Sequence, residues 1–383
     1  MNTCLETAYN ILCRVPLIDG HNDWANTIRG FYYNKIDARF DKDNNLVGHV
    51  DMKRFIEGHS GGVFLSAYVD CPKADDEFSD ELHYEPLRDT LQQIDLIHRL
   101  VDTYANDLEL AYKATDIQDI FGRKKIAVIL SIEGLHQICN SSGVLRNYHR
   151  LGVRCATLAH SKNNRYAGSA TSRTSSNRGL SDAGKDMVRE MNRIGMMIDL
   201  SHVSEQTVLD TIDISLSPVV FTHSSCTAIH PHVRNVSDLV LHRLKENGGI
   251  MMVSLIPNLT CQEPTSATVS HVVDHIIHVG NLIGYDYVGL GSDYDGMPTT
   301  VTQLEDVSKF PNLVAELLRR SISPMEIEKI IGLNIIRVFD EVETRGRFIR
   351  QSDAFKVLED CVKPLWKPEL RDWCRLRWPD AQH

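Results

Sequence analysis

Eight short apolar runs, separated by segments with helical patterning, constrain the fold of this 383-residue chain more than any other feature. Glycine or polar residues bound the runs, and several of the intervening segments begin with a serine suited to cap a helix. Near-continuous apolar strands that alternate with helices predict a parallel sheet buried on both faces. Eight such strands predict closure into a (β/α)8 barrel, a TIM-type fold of the α/β class. The runs cover residues 16–18, 62–69, 127–132, 154–159, 196–200, 218–222, 249–255 and 287–291.

The sequence predicts one domain, because no linker or internal repeat divides residues 1–383. Residues from about 353 to 383 form a C-terminal extension that carries three of the four tryptophans, and we expect it to pack on the barrel. The polar segment 161–179 follows the fourth predicted strand and is too long for a tight turn between a strand and a helix. It is either a lid over a substrate or a mobile surface insertion, and the sequence leaves both interpretations open.

Charge and composition exclude several classes of partner. The chain has 41 basic and 51 acidic residues, a net charge of −10, and no long basic run, which disfavours nucleic acid. It shows no apolar segment of membrane-spanning length, no secretory leader and no apolar tail for a lipid anchor, so we expect no membrane association. Nine scattered cysteines without a CxxC pair favour a reduced, cytoplasmic protein.

Histidines and carboxylates recur where the predicted strands end. The active sites of such barrels lie at the C-terminal ends of the strands, so these residues are the candidates for function. A single histidine at a strand end is usually structural, but histidines at four of eight strand ends are improbable by chance. The candidates are His21 and Asp23 after the first strand, Glu133 at the third, His160, His202 and His223 at the fourth to sixth, and Asp293 and Asp295 after the eighth.

Imidazole and carboxylate groups without thiolates suit a divalent metal such as zinc. Five of the candidates, namely His21, Asp23, Glu133, His202 and His223, exceed the three protein ligands of a catalytic site with one zinc ion. A carboxylate can bridge two metal ions that lie about 3.5–4 Å apart. Glu133 is alone at its strand end and is the natural bridge, so the sequence predicts two Zn²⁺ per chain.

Several ordered motifs resemble those of the renal (membrane) dipeptidase family, metallopeptidases built on a (β/α)8 barrel with a binuclear zinc site. They include "LIDGHND", "LSIEG", "GVRCATLAHS", "PVVFTHSS", "HVRNV" and "GLGSDYDG", and the matching stretches run from about residue 16 to 345. The resemblance implies a small dipeptide substrate and a homodimer. Without a leader, an anchor tail or mappable disulfides, the chain is similar to the intracellular fungal dipeptidases of gliotoxin-type biosynthesis, which trim glycine from a Cys-Gly conjugate.

The resemblance also implies a ligand set for each metal. His21 and Asp23 bind one zinc ion, His202 and His223 bind the other, and Glu133 bridges the two.

The resemblance further assigns His160, Arg234 and Asp293 to substrate binding and catalysis. In this assignment Asp293 relays a proton, His160 stabilises the oxyanion and Arg234 pairs with the substrate carboxylate. Judged from the residues alone, Arg234 in "HPHVRNV" would pass for a surface arginine. Asp295 stays an alternative to Asp293, because a spacing of two residues places both on the same face of a strand.

Two other functions compete with this interpretation. A barrel hydrolase of the amidohydrolase or phosphotriesterase type would carry a His-x-His pair after the first strand and often a carboxylated lysine, whereas this chain has His-x-Asp and Glu133. A non-catalytic, metal-binding scaffold would bind metal without turnover. An assay of dipeptide hydrolysis separates the scaffold from the enzyme.

Overall fold

The described residues form nine parallel β-strands, and eight of them close into a barrel. A computed structural model describes residues 2–73, 77–174, 178–352 and 355–379. The strands pair in the order β2-β1-β9-β8-β7-β6-β5-β4-β3, and an additional pairing of β2 with β4 closes the barrel, which confirms the predicted fold. The strands are β1 Leu17–Asn22, β2 Ser60–Ser66, β3 Leu108–Leu110, β4 Ile126–Glu133, β5 Val153–Thr157, β6 Met197–Asp199, β7 Val220–Ser224, β8 Ile250–Ser254 and β9 Val288–Gly291.

The strand β3 is an addition that the apolar runs did not predict. It has three residues and pairs with the first part of β4, where Leu108 lies opposite Ile126. From Leu130 onward β4 pairs with β5 instead, so β3 lies outside the closed barrel.

The first strand is longer than predicted, because Asp19 does not end it. The Asp19 carboxylate accepts hydrogen bonds from Ser292 N at 2.7 Å and Ser292 Oγ at 2.6 Å inside the barrel. β1 therefore continues to Asn22 and includes His21 as a strand residue.

Helices follow most strands and cover the outside of the barrel. Ser181, Ser204 and Ser237 cap three of them by accepting hydrogen bonds from backbone amides, as their positions before apolar periodic segments predicted. No helix in the described ranges is both long and apolar enough to cross a membrane. The α-helices are Asn2–Leu12, Trp24–Tyr32, Met52–Glu57, Tyr84–Thr103, Ala114–Gly122, Ser142–Arg150, Asp182–Ile194, Glu205–Ile214, Asp238–Asn247, Pro257–Thr260, Val269–Ile283, Phe310–Arg319, Pro324–Glu328, Asn334–Ser352 and Pro368–Arg377.

Apolar side chains fill the barrel and form a packed floor below its C-terminal rim. Ile18, Phe64, Ile129 and Met252 are fully buried and belong to one core cluster. Gly20 makes room for this packing, since a Cβ there would lie 2.5 Å from the Met252 sulfur. A dense floor leaves the rim as the place where polar side chains converge.

The C-terminal extension is attached to the barrel through Leu358 and Asp360. The Asp360 carboxylate accepts hydrogen bonds from Ser141 Oγ and Ser142 N, both at 2.6 Å. The three tryptophans of this segment, Trp366, Trp373 and Trp378, are 53–56% exposed, so the expected packing is wrong for them. Residues 353–354 and 380–383 of the predicted extension lie outside the described residues.

Candidate metal centre and active site

Glu133, the last residue of β4, lies at the centre of a histidine cluster on the C-terminal rim. Its Oε1 atom is 3.0 Å from His202 Nε2, 3.4 Å from His223 Nε2 and 3.6 Å from His21 Nε2. A fourth imidazole nitrogen, His160 Nε2, lies 3.8 Å from the same oxygen. Residues from five positions along the sequence thus meet at one carboxylate, because the carboxyl ends of parallel strands share one rim.

A second set of contacts extends from His21. Its Nε2 atom lies 3.2 Å from Asp23 Oδ2 and 3.7 Å from Asp293 Oδ1. Three groups of three residues each have ligand atoms within 4.8 Å of one another. The groups overlap, because Glu133 belongs to two of them and His21 belongs to two of them. The groups are His21, Glu133 and His223; Glu133, His160 and His202; and His21, Asp23 and Asp293.

These donors fit a divalent metal ion. His21 Nε2 and Asp23 Oδ1 are buried and have no hydrogen-bond partner among the described residues. A buried polar atom without a partner typically destabilises a fold by about 1–3 kcal/mol, so native proteins rarely leave one without a ligand. Nitrogen and carboxylate oxygen donors are those that zinc and similar ions take in catalytic sites.

The protonation states differ between the histidines. Burial, reinforced by the Arg234 guanidinium, lowers the pKa of His202 well below its usual range. Burial also lowers the pKa of His223, so both imidazoles are neutral, the form that binds metal. Burial acts in the same direction on His21, but the carboxylates of Glu133, Asp23 and Asp293 together outweigh it and raise the pKa of that histidine. A metal that binds His21 must therefore displace a proton.

Thr222 and Asp199 fix the orientation of His223. The Thr222 hydroxyl donates to Asp199 Oδ2 at 2.8 Å, so it accepts from His223 Nδ1 at 2.9 Å. This places the proton on Nδ1 and leaves the Nε2 lone pair directed at the cluster. Asp199 itself is buried and also accepts from Thr157 Oγ1 at 2.5 Å.

Sequence reasoning missed Asp19 and Asp199, although the sequence contained a signal for both. Each is an acid within an apolar strand, two or three residues before a histidine of the cluster. Asp19 supports His21 by accepting from its backbone N at 3.4 Å, besides the bonds to Ser292 described above. A lone buried acid must find donors, and here the donors belong to the neighbouring strand end.

Part of the polar segment 161–179 is fixed to the strand ends. Ser169 Oγ donates to the His160 carbonyl oxygen at 2.5 Å, and Ala170 N donates to the His202 carbonyl oxygen at 2.8 Å. Tyr166 and Ser169 are buried. The interpretation as a mobile surface insertion is wrong for this part, which holds two histidines of the cluster in place. Residues 175–177 lie outside the described residues, and the lid stays a prediction.

Arg234 lies beside the cluster and is not a surface residue. It is 9% exposed, and its Nη2 donates to the His223 carbonyl oxygen at 3.4 Å. In the described part of the chain its Nε–H is buried without a partner. A buried guanidinium with a donor that lacks a partner can receive an anion.

Asp293 and Asp295 face different surroundings, so the expectation that they share a strand face is wrong. β9 ends at Gly291, and both aspartates have left-handed backbones, with φ of 64° and 69°. Asp293 faces His21, whereas Asp295 accepts a hydrogen bond from the His49 backbone N, and its side chain is fully buried. Burial raises the pKa of Asp293 to about 8 and that of Asp295 to about 7.

Candidate metal ligands gathered on the rim of a (β/α)8 barrel are typical of the metal-dependent barrel hydrolases. The sequence matches the family described as membrane dipeptidase (peptidase family M19) over residues 5–353. It is 51% identical over 400 residues to the dipeptidase tcpJ of Claviceps purpurea, covering 99% of this chain and 94% of that protein. It is 46% identical over 373 residues to the dipeptidase verJ of Clonostachys rogersoniana, with coverage of 97% and 95%. The chain belongs to the membrane dipeptidase family and is a peptide-bond hydrolase, a metallo-dipeptidase.

Solved structures agree on the fold. The probable dipeptidase PvdM from Pseudomonas aeruginosa superposes with a TM-score of 0.80 at 21% identity, covering 90% of this chain and 99% of that one. A metallopeptidase from Rhodobacter sphaeroides, liganded with a phosphinate mimic of the dipeptide L-Ala-D-Ala, gives a TM-score of 0.77 at 23% identity, with coverage of 86% and 99%. Both likenesses support the barrel architecture.

Proposed function

We propose that this dipeptidase uses two zinc ions and cleaves dipeptides that have a free C-terminal carboxylate. His21 and Asp23 would hold one ion, His202 and His223 would hold the other, and Glu133 would be the ligand shared by both. The observation that carries this proposal is the position of Glu133 Oε1, within 3.0–3.6 Å of three imidazole nitrogens on different strand ends. When bound, such a metal pair lowers the pKa of a water molecule toward about 7 and polarises the scissile carbonyl.

Asp293 and His160 act on the substrate in this proposal. The Asp293 carboxylate lies beside His21 at 3.7 Å and its side chain is 13% exposed, so it can reach the attacking water. In its ionised form, which bound cations nearby would favour, it takes the proton of that water and passes it to the leaving amine. His160 is 15% exposed at the side chain and directs Nε2 toward the cluster, where it donates a hydrogen bond to the developing oxyanion.

Arg234 binds the carboxylate of the substrate in this proposal. Its guanidinium is buried next to the cluster, within the electrostatic influence of the Asp293 and Glu133 carboxylates. One anchor at the carboxylate and another at the scissile carbonyl leave room for a single residue between them, so the leaving group is one amino acid. The resemblance to the fungal dipeptidases of gliotoxin-type biosynthesis leads to a narrower proposal, that Cys-Gly conjugates are substrates and glycine is the product.

A hydrolysis assay tests the proposal directly. Protein stripped with a chelator receives zinc, and turnover is measured on L-L dipeptides, L-D dipeptides and an S-conjugated Cys-Gly. We expect activity that depends on zinc, with release of the C-terminal amino acid. Zinc binding without hydrolysis of any member of the panel would favour a non-catalytic scaffold, and equal activity without metal would contradict the metal centre.

The role of Arg234 predicts discrimination against substrates without a free carboxylate. Amidation of the C-terminus should raise the barrier by about 2–5 kcal/mol, at least about thirtyfold in kcat/KM, because a buried charge loses its partner. In Arg234→Ala the acid and the amide should be cleaved at similar, low rates. Arg319→Ala, which removes an arginine with a 43% exposed side chain, serves as the control and should keep the discrimination. Equal kcat/KM for the two substrates in the unmodified enzyme would remove Arg234 from this role.

The hydrogen bond from His223 to Thr222 predicts a second effect. Thr222→Val keeps the shape of the side chain but removes the acceptor, so zinc affinity should fall by about 10–100-fold. Competition with a chromogenic chelator measures the affinity. Thr211→Val is the matched control, because this buried threonine donates only to the Thr207 carbonyl oxygen on its own helix. If both variants hold zinc equally tightly, Thr222 does not orient a ligand.

The homodimer and the cytoplasmic location stay predictions of the sequence. Sedimentation of the purified protein measures the first, and fractionation of cells that express the tagged chain measures the second.

A further inference from the structure

A cysteine between two imidazoles lies beside the cluster, and the proposed mechanism does not use it. Cys71 Sγ is 3.7 Å from His136 Nδ1 and 4.0 Å from His160 Nδ1. His136 is buried, and its Nε2–H donates to the Val69 carbonyl oxygen at 3.0 Å. The Nδ1 lone pair of His136 therefore faces the sulfur and can accept the thiol proton.

The backbone is shaped to bring these groups together. Gly134 separates Glu133 from the short turn that carries His136, and its φ is 117°. A Cβ at Gly134 would lie 2.5 Å from His136 Nδ1 and 3.3 Å from the His160 Cβ. The absence of a side chain at this position thus lets both imidazoles approach one another and the thiol.

The thiol is accessible from a cavity. Cys71 is partly exposed and lines a space of about 570 Å³ together with Arg29, Tyr68, Asp70 and Lys73. Tyr68 also contacts the His160 ring, with 5.0 Å between the ring centroids, so the cavity adjoins the active site. Its wall carries both positive and negative side chains, which suits a zwitterionic small molecule.

We propose that Cys71 is a thiol-modification site that forms a mixed disulfide with small zwitterionic disulfides, such as glutathione disulfide. The Cys71 sulfur attacks one sulfur of the disulfide, the S–S bond of the small molecule breaks, and a new S–S bond joins Cys71 to one half. The other half leaves as a thiolate and takes up the proton that Cys71 lost, through His136 or solvent. No further oxidant is needed, because the incoming disulfide is reduced as the mixed disulfide forms.

The adduct blocks the dipeptidase, a consequence that rests on the proposed role of His160. The sulfur that carries the attached group lies 4.0 Å from His160 Nδ1, and the other nitrogen of His160 faces Glu133 at 3.8 Å. A bulky group at this point occupies the approach to the rim. A thiol reductant reverses the modification and restores turnover.

The electrostatic surroundings of Cys71, like its contacts, favour the thiolate form. Burial alone would raise the pKa of Cys71, but His136 and His160 outweigh it and lower the pKa to about 4. The buried thiols Cys155 and Cys226 have pKa values raised by burial. A thiolate attacks disulfides while a thiol does not, but a thiolate of low pKa is intrinsically less nucleophilic. The advantage of Cys71 therefore appears in mild acid, where an ordinary cysteine is almost fully protonated: at pH about 5.5 Cys71 should react about ten times faster than an ordinary exposed cysteine.

The test is incubation of the metal-loaded enzyme with glutathione disulfide at pH about 5.5, followed by peptide mapping by mass spectrometry. Samples taken during the incubation are assayed for turnover at neutral pH. The Cys71 peptide should gain one glutathionyl group about tenfold faster than the peptide with Cys13, an exposed thiol in the same molecule. In His136→Gln, whose amide can still donate to the Val69 carbonyl, labelling of Cys71 should slow to the rate of Cys13. Turnover of the unmodified enzyme should fall with the same time course as labelling, whereas Cys71→Ser should keep its own initial turnover.

Mass mapping does not depend on dipeptidase activity, so failure here is distinct from failure of the proposed function. Labelling of Cys71 no faster than of Cys13 would overturn the modification site. Fast labelling without loss of turnover would overturn the block of the active site. Loss of turnover in Cys71→Ser under the same treatment would assign the inhibition to another thiol.

Discussion

Glu133→Gln should bind less than one zinc ion per chain and lose about a thousandfold in kcat/KM. The amide keeps the size of the side chain but cannot offer two anionic oxygens to two cations. Four imidazole nitrogens lie within 3.8 Å of Glu133 Oε1, and the carboxylates of Asp23 and Asp293 contact His21, so the His202 and His223 side is left without an anionic ligand. Loss of a metal that activates water and carbonyl removes several kcal/mol of transition-state stabilisation, which corresponds to the stated fall in rate. Elemental analysis and steady-state kinetics measure the two effects.

Glu343→Gln provides the matched control for this prediction. Glu343 is half-buried on another face of the barrel, where it accepts a hydrogen bond from Ala114 N at 3.0 Å. The control should retain two zinc ions and normal turnover. His21→Ala should lose one ion and retain the other. Glu133→Gln with a full metal content would contradict the bridge, and a single ion in the unmodified enzyme would contradict the two-metal centre.

Asp293→Asn should lower kcat by about 10²–10⁴-fold while leaving the metal content unchanged. Asparagine has nearly the shape of aspartate but cannot take up the proton of the attacking water. Because the substrate is still held at its carboxylate and carbonyl, KM should change little, which separates loss of proton transfer from loss of binding. Kinetics together with elemental analysis on the same preparation provide the measurement.

Asp295→Asn is the natural comparison, since it makes the same chemical change two residues away. The Asp295 side chain contacts His49 and faces away from the cluster, so kcat should stay within about twofold of the unmodified value. A large fall in kcat for Asp295→Asn, with none for Asp293→Asn, would exchange the roles of the two residues.

The positions of the histidines on the rim could be predicted from the sequence, because the barrel fold itself determines them. In a closed parallel barrel every strand delivers its C-terminal residue to the same rim, so a histidine at a strand end is near every other such histidine. Recognition of the apolar runs was therefore enough to bring His21, Glu133, His202 and His223 together. The strand β3 could not be predicted from the sequence, because three residues are too few to show a periodic pattern.

Features that depend on loops could not be predicted in this way. Asp293 and Asp295 adopt left-handed backbones after β9, so alternation along a strand no longer gives their directions. Arg234 reaches the cluster from a loop, and only the family resemblance distinguished it from an exposed arginine. The contact of Cys71 with His136 joins residues 65 positions apart and has no local signature.

The proposed metal ligands lie far apart in the sequence, and this determines when the enzyme can acquire its metal. His21 and Glu133 are synthesised early, whereas His223 follows after more than half of the 383 residues, and β1 gains its last barrel neighbour only when β9 has emerged from the ribosome. A nascent chain therefore holds isolated imidazoles and carboxylates at which no complete ligand set exists. Domains fold as units once their chain is available, so metal acquisition is a late event that follows translation. The rate at which cells produce active enzyme should then depend on the metal supply after synthesis and not on the rate of synthesis alone.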